Sequence, residues 1–354
     1  MAARRDSVHP SSQRGLTIGN FLQKNTARAA FFGLAREAFE GTVGRAGRMA
    51  AVYRIGIDLG GTKIEAAALD GEGALQLRQR IATPAHDYRG TIGAVGTLVG
   101  QIEREMGPAA SVGIAIPGTI VVATGLVKNA NSVWLNGRPL GRDVEAALGR
   151  PVRFANDANC FALSEAADGA AAGCGTVFGV ILGTGVGGGI VVGGRVLIGA
   201  NAIAGEWGHN PLPAPQPGEW PGPPCYCGRT GCIETFLSGP GLAADHRRHA
   251  GEVLDGPGIV AGAEAGEALC RATLDRYAER LARALAGVIN IVDPDAIVLG
   301  GGLSTMRHLY EAVPRHWGHH IISDTIATRL LPPVHGDSSG VRGAAWLWRP
   351  EELA

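Results

Sequence analysis

The chain has 354 residues, which is enough for two domains and a sizeable buried core. Lys plus Arg and Asp plus Glu each number 32, so the formal net charge is zero, and this balance does not favour nucleic acid or an acidic membrane as a partner. No run approaches about 18 consecutive apolar residues, and no secretory signal is recognisable. The six cysteines are too few for a disulfide scaffold, so the sequence predicts a cytoplasmic protein without a membrane span.

Residues 1–48 differ from the rest of the chain in their excess of arginine. We interpret them as a poorly ordered leader, or as the product of a start codon assigned too early, with Met49 as the true beginning. An address peptide is the alternative, although Asp6, Glu37 and Glu40 argue against it. The run "ARAAFFGLAREAF" has the spacing of a short amphipathic helix.

From Tyr53 onward, short apolar strands alternate with glycine turns. In "YRIGIDLGGTKIEAAALD", alternating Ile55 and Ile57 lead to a Gly-Gly pair, which predicts a β-hairpin. The backbone N–H groups of such a turn can face a phosphate, and Asp58 before it can hold Mg²⁺ through water. A bare hairpin turn explains the same pattern. The candidate phosphate contacts in this loop are Gly56, Asp58, Gly60, Gly61, Thr62 and Lys63.

A second glycine hairpin is predicted in "TVFGVILGTGVGGGIVVGGRVLIG". A single glycine-rich loop is weak evidence for phosphate binding. Two such hairpins, each flanked by apolar strands, indicate a pair of loops that enclose a polyphosphate. A third glycine turn, "LGGG", follows a later strand and would let an adenine ring approach the backbone closely. The candidate contacts are Gly183, Thr184, Gly185, Gly187, Gly188 and Gly189 in the second loop and Gly301 and Gly302 in the third.

Asp157 lies where a strand gives way to a helix in "PVRFANDANCFALSEAADGAA". An aspartate at a strand end, with amide neighbours, suits a general base that takes the proton of a hydroxyl attacking a γ-phosphate. An aspartate that only caps the following helix is equally compatible with this spacing.

One histidine and three cysteines form a compact cluster with the spacing H-x₁₅-C-x-C-x₄-C. His209, Cys225, Cys227 and Cys232 would complete the tetrahedral shell of a zinc ion and leave no open position, so such a metal would be structural. Disulfides are the alternative, and the absence of a secretory signal disfavours them. A nucleic-acid-binding finger is a further alternative, but no basic helix lies beside the cluster.

Glu206 and Glu234 flank this cluster. Two carboxylates accept the hydrogen bonds that a polyhydroxyl ligand donates, whereas ordinary surface acids are the alternative explanation. The glycines and aromatic residues around Glu206 favour the interpretation as a ligand site.

The motifs "GIDLGGTK", "NDANC", "ILGTGVGGG", "GEWGH" and "CYCGRTGCIE" together resemble the ROK family of sugar kinases and sugar-responsive repressors. The resemblance implies an α/β fold of the actin-like, hexokinase-like (ribonuclease H-like) type, in which two domains enclose a central cleft. We expect a smaller domain of residues 49–170 plus 342–354 and a larger domain of residues 171–341 with the zinc site. The family also implies a homodimer.

The resemblance further implies ATP and Mg²⁺ as phosphoryl donor, a structural Zn²⁺ and Asp157 as the catalytic base. The segments "VKNANSVWLNG" and "GEWGHNPLP" most resemble those of bacterial fructokinases (mannokinases), so the expected product is fructose 6-phosphate. An N-acetylglucosamine kinase or glucokinase of the same family is the alternative. A sugar-responsive repressor is the alternative of another class, and it would need a helix-turn-helix module before residue 53. The positions that match the family's sugar contacts are Asn156, Asp157, Glu206, His209, Glu234, Gly118 and Asn131.

Overall fold

The computed structural model describes residues 52–353, so the predictions for the leader lie outside the described residues. Its strands are β1 (Arg54–Leu59), β2 (Lys63–Leu69), β3 (Leu75–Ala82), β4 (Ser111–Ile116), β5 (Thr119–Ile120), β6 (Val127–Lys128), β7 (Arg153–Asn156), β8 (Thr176–Leu182), β9 (Val186–Val192), β10 (Arg195–Val196), β11 (Ala296–Gly300) and β12 (Arg329–Leu331). Its α-helices are α1 (Tyr88–Met106), α2 (Leu140–Leu148), α3 (Asp157–Ala167), α4 (Glu234–Leu237), α5 (Gly239–Ala250), α6 (Gly256–Ala265), α7 (Ala268–Val292), α8 (His308–Trp317) and α9 (Ser339–Ala345). Among these described residues, no helix combines the length and apolar character needed to cross a bilayer.

The first sheet has the strand order β3-β2-β1-β4-β7. β1 and β2 form the predicted antiparallel hairpin, whereas β1, β4 and β7 run parallel. Nearly every residue of β1 and β4 is buried, because helices and neighbouring strands cover both of their faces.

The second sheet repeats this arrangement with the order β10-β9-β8-β11-β12. β8 and β9 form the second predicted hairpin, and β8, β11 and β12 run parallel. The two sheets therefore share one order of antiparallel and parallel pairings, and each contains one of the two predicted glycine hairpins.

Helices α3 and α9 pack against one another between the two sheets. α9 covers β1 and β4, where Gly56 and Gly113 make room, since a Cβ at either position would overlap carbonyl oxygens of α9. Gly343 on α9 makes room for α3, because a Cβ at this position would overlap the carbonyl oxygen of Cys160. These contacts bring backbone against backbone and leave no space for a side chain.

The predicted division into residues 49–170 plus 342–354 and residues 171–341 stays a prediction. The strands of the two sheets fall on the expected sides, and α9 packs on the first sheet. However, α3 buries Phe161 and Leu163 in a cluster with Val177 and Val298 of the second sheet. We therefore favour a boundary at the end of β7 over one at the end of α3.

We predict that Gly343→Ala destabilises the chain, because the added methyl group would overlap the backbone of α3. Overpacking of this kind lowers the free energy of unfolding by about 1–3 kcal/mol, occasionally more. The matched control is Gly287→Ala in α7, where no atom lies within 4 Å of the new Cβ. Alanine should there add about 0.5–1 kcal/mol through its higher helix propensity. Urea denaturation measures both changes, and equal stability of the two variants would contradict the tight contact between α3 and α9.

Candidate functional site

A cleft of about 820 Å³ lies where strands of both sheets end. The segments that follow β4, β7 and β8 line it, as is usual for ligand sites at the carboxyl ends of parallel strands. Many of the residues predicted from the sequence meet in this cleft. They are Gly118, Asn131, Asn156, Asp157, Gly183, Thr184, Gly185, Gly187, Gly188, Glu206, His209, Cys227 and Glu234.

Asp157 is the first residue of α3 and faces the cleft. Asn156 is the helix cap, and its Oδ1 accepts a hydrogen bond from the Ala158 N–H at 2.8 Å. Asp157 Oδ1 accepts from the same N–H at 2.8 Å. Because Asn156 already supplies the cap, capping alone does not explain the aspartate. Asp157 remains in contact with solvent at the wall of the cleft, but partial desolvation there raises its pKa above the ordinary aspartate value, which suits a general base.

The first glycine turn joins β1 to β2 and is closed by the Gly60 N–H, which donates to the Lys63 carbonyl oxygen at 3.0 Å. Gly61, Thr62 and Lys63 are exposed, so this turn presents backbone and side-chain donors to a ligand. A Cβ at Gly61 would lie 3.4 Å from Ser132 Oγ, so the turn adjoins the segment that brings Asn131 to the cleft.

Asp58, near the end of β1, lies close enough to Asp157 for the two negative charges to interact. Burial, followed by the charge of Asp157, raises the pKa of Asp58 to about 6. Two carboxylates that resist ionisation together form an environment that a divalent cation stabilises. The donor set at Asp58 therefore fits Mg²⁺.

Two of the glycines predicted to contact phosphate serve packing instead. Gly56 lies inside β1 against α9, away from the turn. A Cβ at Gly189 would lie 2.5 Å from the carbonyl oxygen of Ala158, so this glycine lets α3 approach β9. Gly187 and Gly188 also belong to β9, and the turn itself consists of residues 183–185.

The third glycine turn adjoins the second. Gly301 has a φ of 78°, and a Cβ there would overlap the backbone of Leu182 at the end of β8. Gly302 borders a separate cavity of about 280 Å³. Its other walls include Gly256, Val260, Leu303 and Met306, which give it an apolar surface suited to a planar base.

The loop that carries Glu206 and His209 is anchored by the buried Trp207 between them. The indole Nε1–H donates to the Gly187 carbonyl oxygen at 3.0 Å, and the ring meets Phe178 edge-on at 5.6 Å. With this anchor, the flanking side chains are held at the wall of the cleft. Burial raises the pKa of Glu206, although the nearby His209 opposes the shift.

Glu234 begins α4, two residues after the last cysteine of the cluster. Its Oε2 accepts a hydrogen bond from the Val186 N–H at 2.9 Å, and a Cβ at Gly185 would lie 2.7 Å from the same oxygen. Glu234 therefore links the cysteine cluster to the second glycine turn, in addition to facing the cleft.

The four predicted metal ligands converge, with their ligand atoms all within 4.8 Å of one another. His209 Nδ1 lies 3.6 Å from Cys225 Sγ, and Cys227 Sγ lies 3.6 Å from Cys232 Sγ. Ligand atoms on a tetrahedral zinc ion with bonds of about 2.3 Å stand about 3.8 Å apart. A disulfide would bring two sulfurs to about 2.05 Å. Both the donor set and the spacing therefore fit zinc.

Two further side chains near this region lie inside the quoted motifs but carry no role predicted from the sequence. The Tyr226 hydroxyl lies 2.9 Å from His209 Nε2, and its position between two predicted ligands is the one signal in the sequence. The Lys128 ammonium donates to the Asn201 carbonyl oxygen at 3.2 Å, which links β6 to the segment after β10. No local pattern predicts a contact between residues so distant in sequence.

The sequence signature of the ROK family matches residues 54–351. N-acetyl-D-glucosamine kinase of Salmonella paratyphi C (strain RKS4594) is 40% identical over 296 residues, which are 82% of this chain and 98% of that protein. The solved ROK hexokinase from Thermus thermophilus is 31% identical, with a TM-score of 0.75 over 85% of this chain and 99% of that one. The ROK family glucokinase from Streptomyces griseus, in complex with glucose and AMPPNP, is 28% identical, with a TM-score of 0.65 over 84% of this chain and 99% of its own.

Both structural likenesses extend over more than four fifths of the chain. They confirm the predicted α/β fold of the actin-like, hexokinase-like type. Because the family signature spans nearly all of the described residues and a curated relative shares 40% identity, the chain belongs to the ROK family.

Proposed function

We propose that this protein is an ATP-dependent sugar kinase with N-acetylglucosamine as its preferred substrate. The carrying observation is that one cleft holds a carboxylate suited to act as a base, a set of sugar-binding side chains and a glycine turn suited to phosphate. The relatives at 40% identity are N-acetyl-D-glucosamine kinases, which supports this sugar. Fructose is the expectation from the segments "VKNANSVWLNG" and "GEWGHNPLP". Fructose, mannose and glucose are the competing substrates. The expected homodimer stays a prediction.

On the sugar side, the carboxylates of Glu206 and Glu234 accept hydrogen bonds from sugar hydroxyls, and the amides of Asn131 and Asn156 add donors and acceptors. The cysteine cluster would hold a structural zinc ion together with Nδ1 of His209. Metal binding at that nitrogen leaves the proton on Nε2, so the imidazole donates to a sugar oxygen. Asp157 stands at the same wall, next to the hydroxyl that reacts.

On the phosphate side, the Gly60 and Gly183 N–H groups close their own turns, so the backbone N–H groups that would face the polyphosphate are those of the residues that follow them, around Gly61 and Thr184. The cavity beside Gly302 takes the adenine ring, and Asp58 would hold Mg²⁺ through water. When bound, ATP with Mg²⁺ supplies the phosphoryl group and neutralises part of its charge.

Asp157 accepts the proton of the sugar hydroxyl while the hydroxyl oxygen bonds to the γ-phosphorus and the bond to the β-phosphate oxygen breaks. Its raised pKa supports this role, because a more basic carboxylate takes up a proton more readily. Water would compete with the sugar as acceptor, so closing of the cleft would favour the sugar.

A substrate panel tests the function. We expect sugar-dependent ADP release with ATP and Mg²⁺, and the highest kcat/KM with N-acetylglucosamine among the four sugars named above. A preference for fructose would contradict the proposed substrate and support the fructokinase expected from the sequence. The absence of ADP release with every sugar, together with tight sequence-specific DNA binding at physiological salt, would support the repressor instead.

Asp157→Asn should lower kcat by about 10²–10⁴-fold, because the proton acceptor is lost while the shape of the site is kept. The same variant should melt at a higher temperature near about pH 8. A carboxyl whose pKa is raised in the folded state destabilises the fold once it is ionised, and the difference closes as the pH falls toward about 4. The expected gain in melting temperature is small, because water reaches the cleft and screens the carboxylate.

The control for this variant is Asp324→Asn, at an exposed aspartate outside the cleft, which should change neither property. Near wild-type turnover in Asp157→Asn would contradict the base. An unchanged melting temperature at every pH would contradict the desolvation of this carboxylate.

Elemental analysis should find one zinc ion per chain. Zinc removal by a chelator, or Cys232→Ser, should weaken sugar binding by about ten- to hundredfold, because the orientation of the His209 donor is lost. Cys174→Ser, at a partly buried cysteine outside the cluster, is the control that keeps the metal. Unchanged sugar affinity in the metal-free protein, measured by calorimetry, would rule out the proposed role of zinc.

A further inference from the structure

Tyr226 lies between two zinc-ligand cysteines, and its side chain lines the cleft. The backbone of this turn is fixed, since the Cys225 N–H donates to the Arg229 carbonyl oxygen at 2.8 Å and the Gly228 N–H donates to the Cys225 carbonyl oxygen at 3.0 Å. The side chain, by contrast, is largely free of packing, because Tyr226 is 83% exposed. The ring can therefore change rotamer on a rigid base at little cost.

His209 is the partner that holds this ring in place. Its Nδ1 is directed at the cysteine cluster, 3.6 Å from Cys225 Sγ, which leaves Nε2 to face the cleft. Nε2 lies 2.9 Å from the Tyr226 hydroxyl, and the two rings meet edge to face with centroids 5.1 Å apart. Zinc bound at Nδ1 would leave the ring proton on Nε2, so the Nε2–H would donate to the phenol oxygen. The cleft-facing donor of His209 is thus already engaged.

A sugar oxygen that accepts from His209 would need the position that the phenol oxygen now holds. A single N–H directed along one line serves one acceptor well, and a second acceptor beside it would be poorly aligned. The phenol and the sugar therefore compete for the same donor.

We infer that Tyr226 is a gate on the sugar site: its hydroxyl engages His209 in the sugar-free protein and swings away when a sugar enters. This inference rests on the proposed function and adds a determinant of substrate affinity to it. Each sugar must break the same hydrogen bond, so Tyr226 raises the sugar KM by a factor common to all substrates. The gate acts before the phosphoryl group is transferred, so kcat does not depend on it.

The test compares Tyr226→Phe, which removes only the hydroxyl, with Tyr226→Leu, which also removes the ring. Calorimetry without ATP measures the affinity for N-acetylglucosamine, glucose and fructose, and steady-state assays measure kcat and both KM values. We expect both variants to bind every sugar about two- to tenfold more tightly, with kcat, the KM for ATP and the zinc content unchanged. Trp220→Phe, at an exposed aromatic residue outside the lining of the cleft, is the matched control and should change nothing.

Unchanged sugar affinity in Tyr226→Phe would overturn the gate. Weaker binding would overturn it as well, because the hydroxyl would then contact the bound sugar. So would a gain confined to one sugar, or a difference between the Phe and Leu variants, since either would assign the ring a direct contact. The proposed function fails separately, when the wild-type protein phosphorylates no sugar, whereas phosphorylation with unchanged affinity in Tyr226→Phe removes only the gate.

Discussion

The close backbone approach of α3 to its neighbours is the constraint on which the cleft depends. Gly343 on α9 and Gly189 on β9 leave only enough room for the helix backbone, so α3 cannot shift without a clash on one side. The start of the helix is thereby set by elements from both sheets. Asp157 is its first residue, and its position between the proposed sugar-binding side chains and the glycine turns is fixed in this way.

The cysteine cluster has a structural influence on both halves of the proposed site. The imidazole of His209 faces both the cluster and the cleft, while Glu234 reaches from the same segment to the Val186 N–H, directly after the second glycine turn. A metal bound there would therefore organise the sugar contacts and the phosphate loop together, although it lies outside the chemistry. This arrangement explains how a closed metal site can matter to a reaction in which it takes no part.

Carboxylates with raised pKa values face the cleft and its border. Asp58, Asp157 and Glu206 are all disfavoured as anions by desolvation, and neighbouring carboxylates add to the effect at Asp58 and Glu206. Such a concentration of unfavourable charge costs stability, and it is typical of sites that bind cations or hydroxyl donors. The ligands that relieve the charge are those that the proposed reaction requires.

The sequence by itself determined the two glycine hairpins, the strand-to-helix junction at Asp157 and the convergence of one histidine with three cysteines, because alternation, turn residues and ligand spacing are local patterns. Only the tertiary structure decided that Gly56 and Gly189 make room for helices, that α3 buries its apolar side chains on the second sheet, and that Tyr226 engages His209. These features depend on atoms that meet through folding, and a one-dimensional pattern does not record which surfaces come into contact.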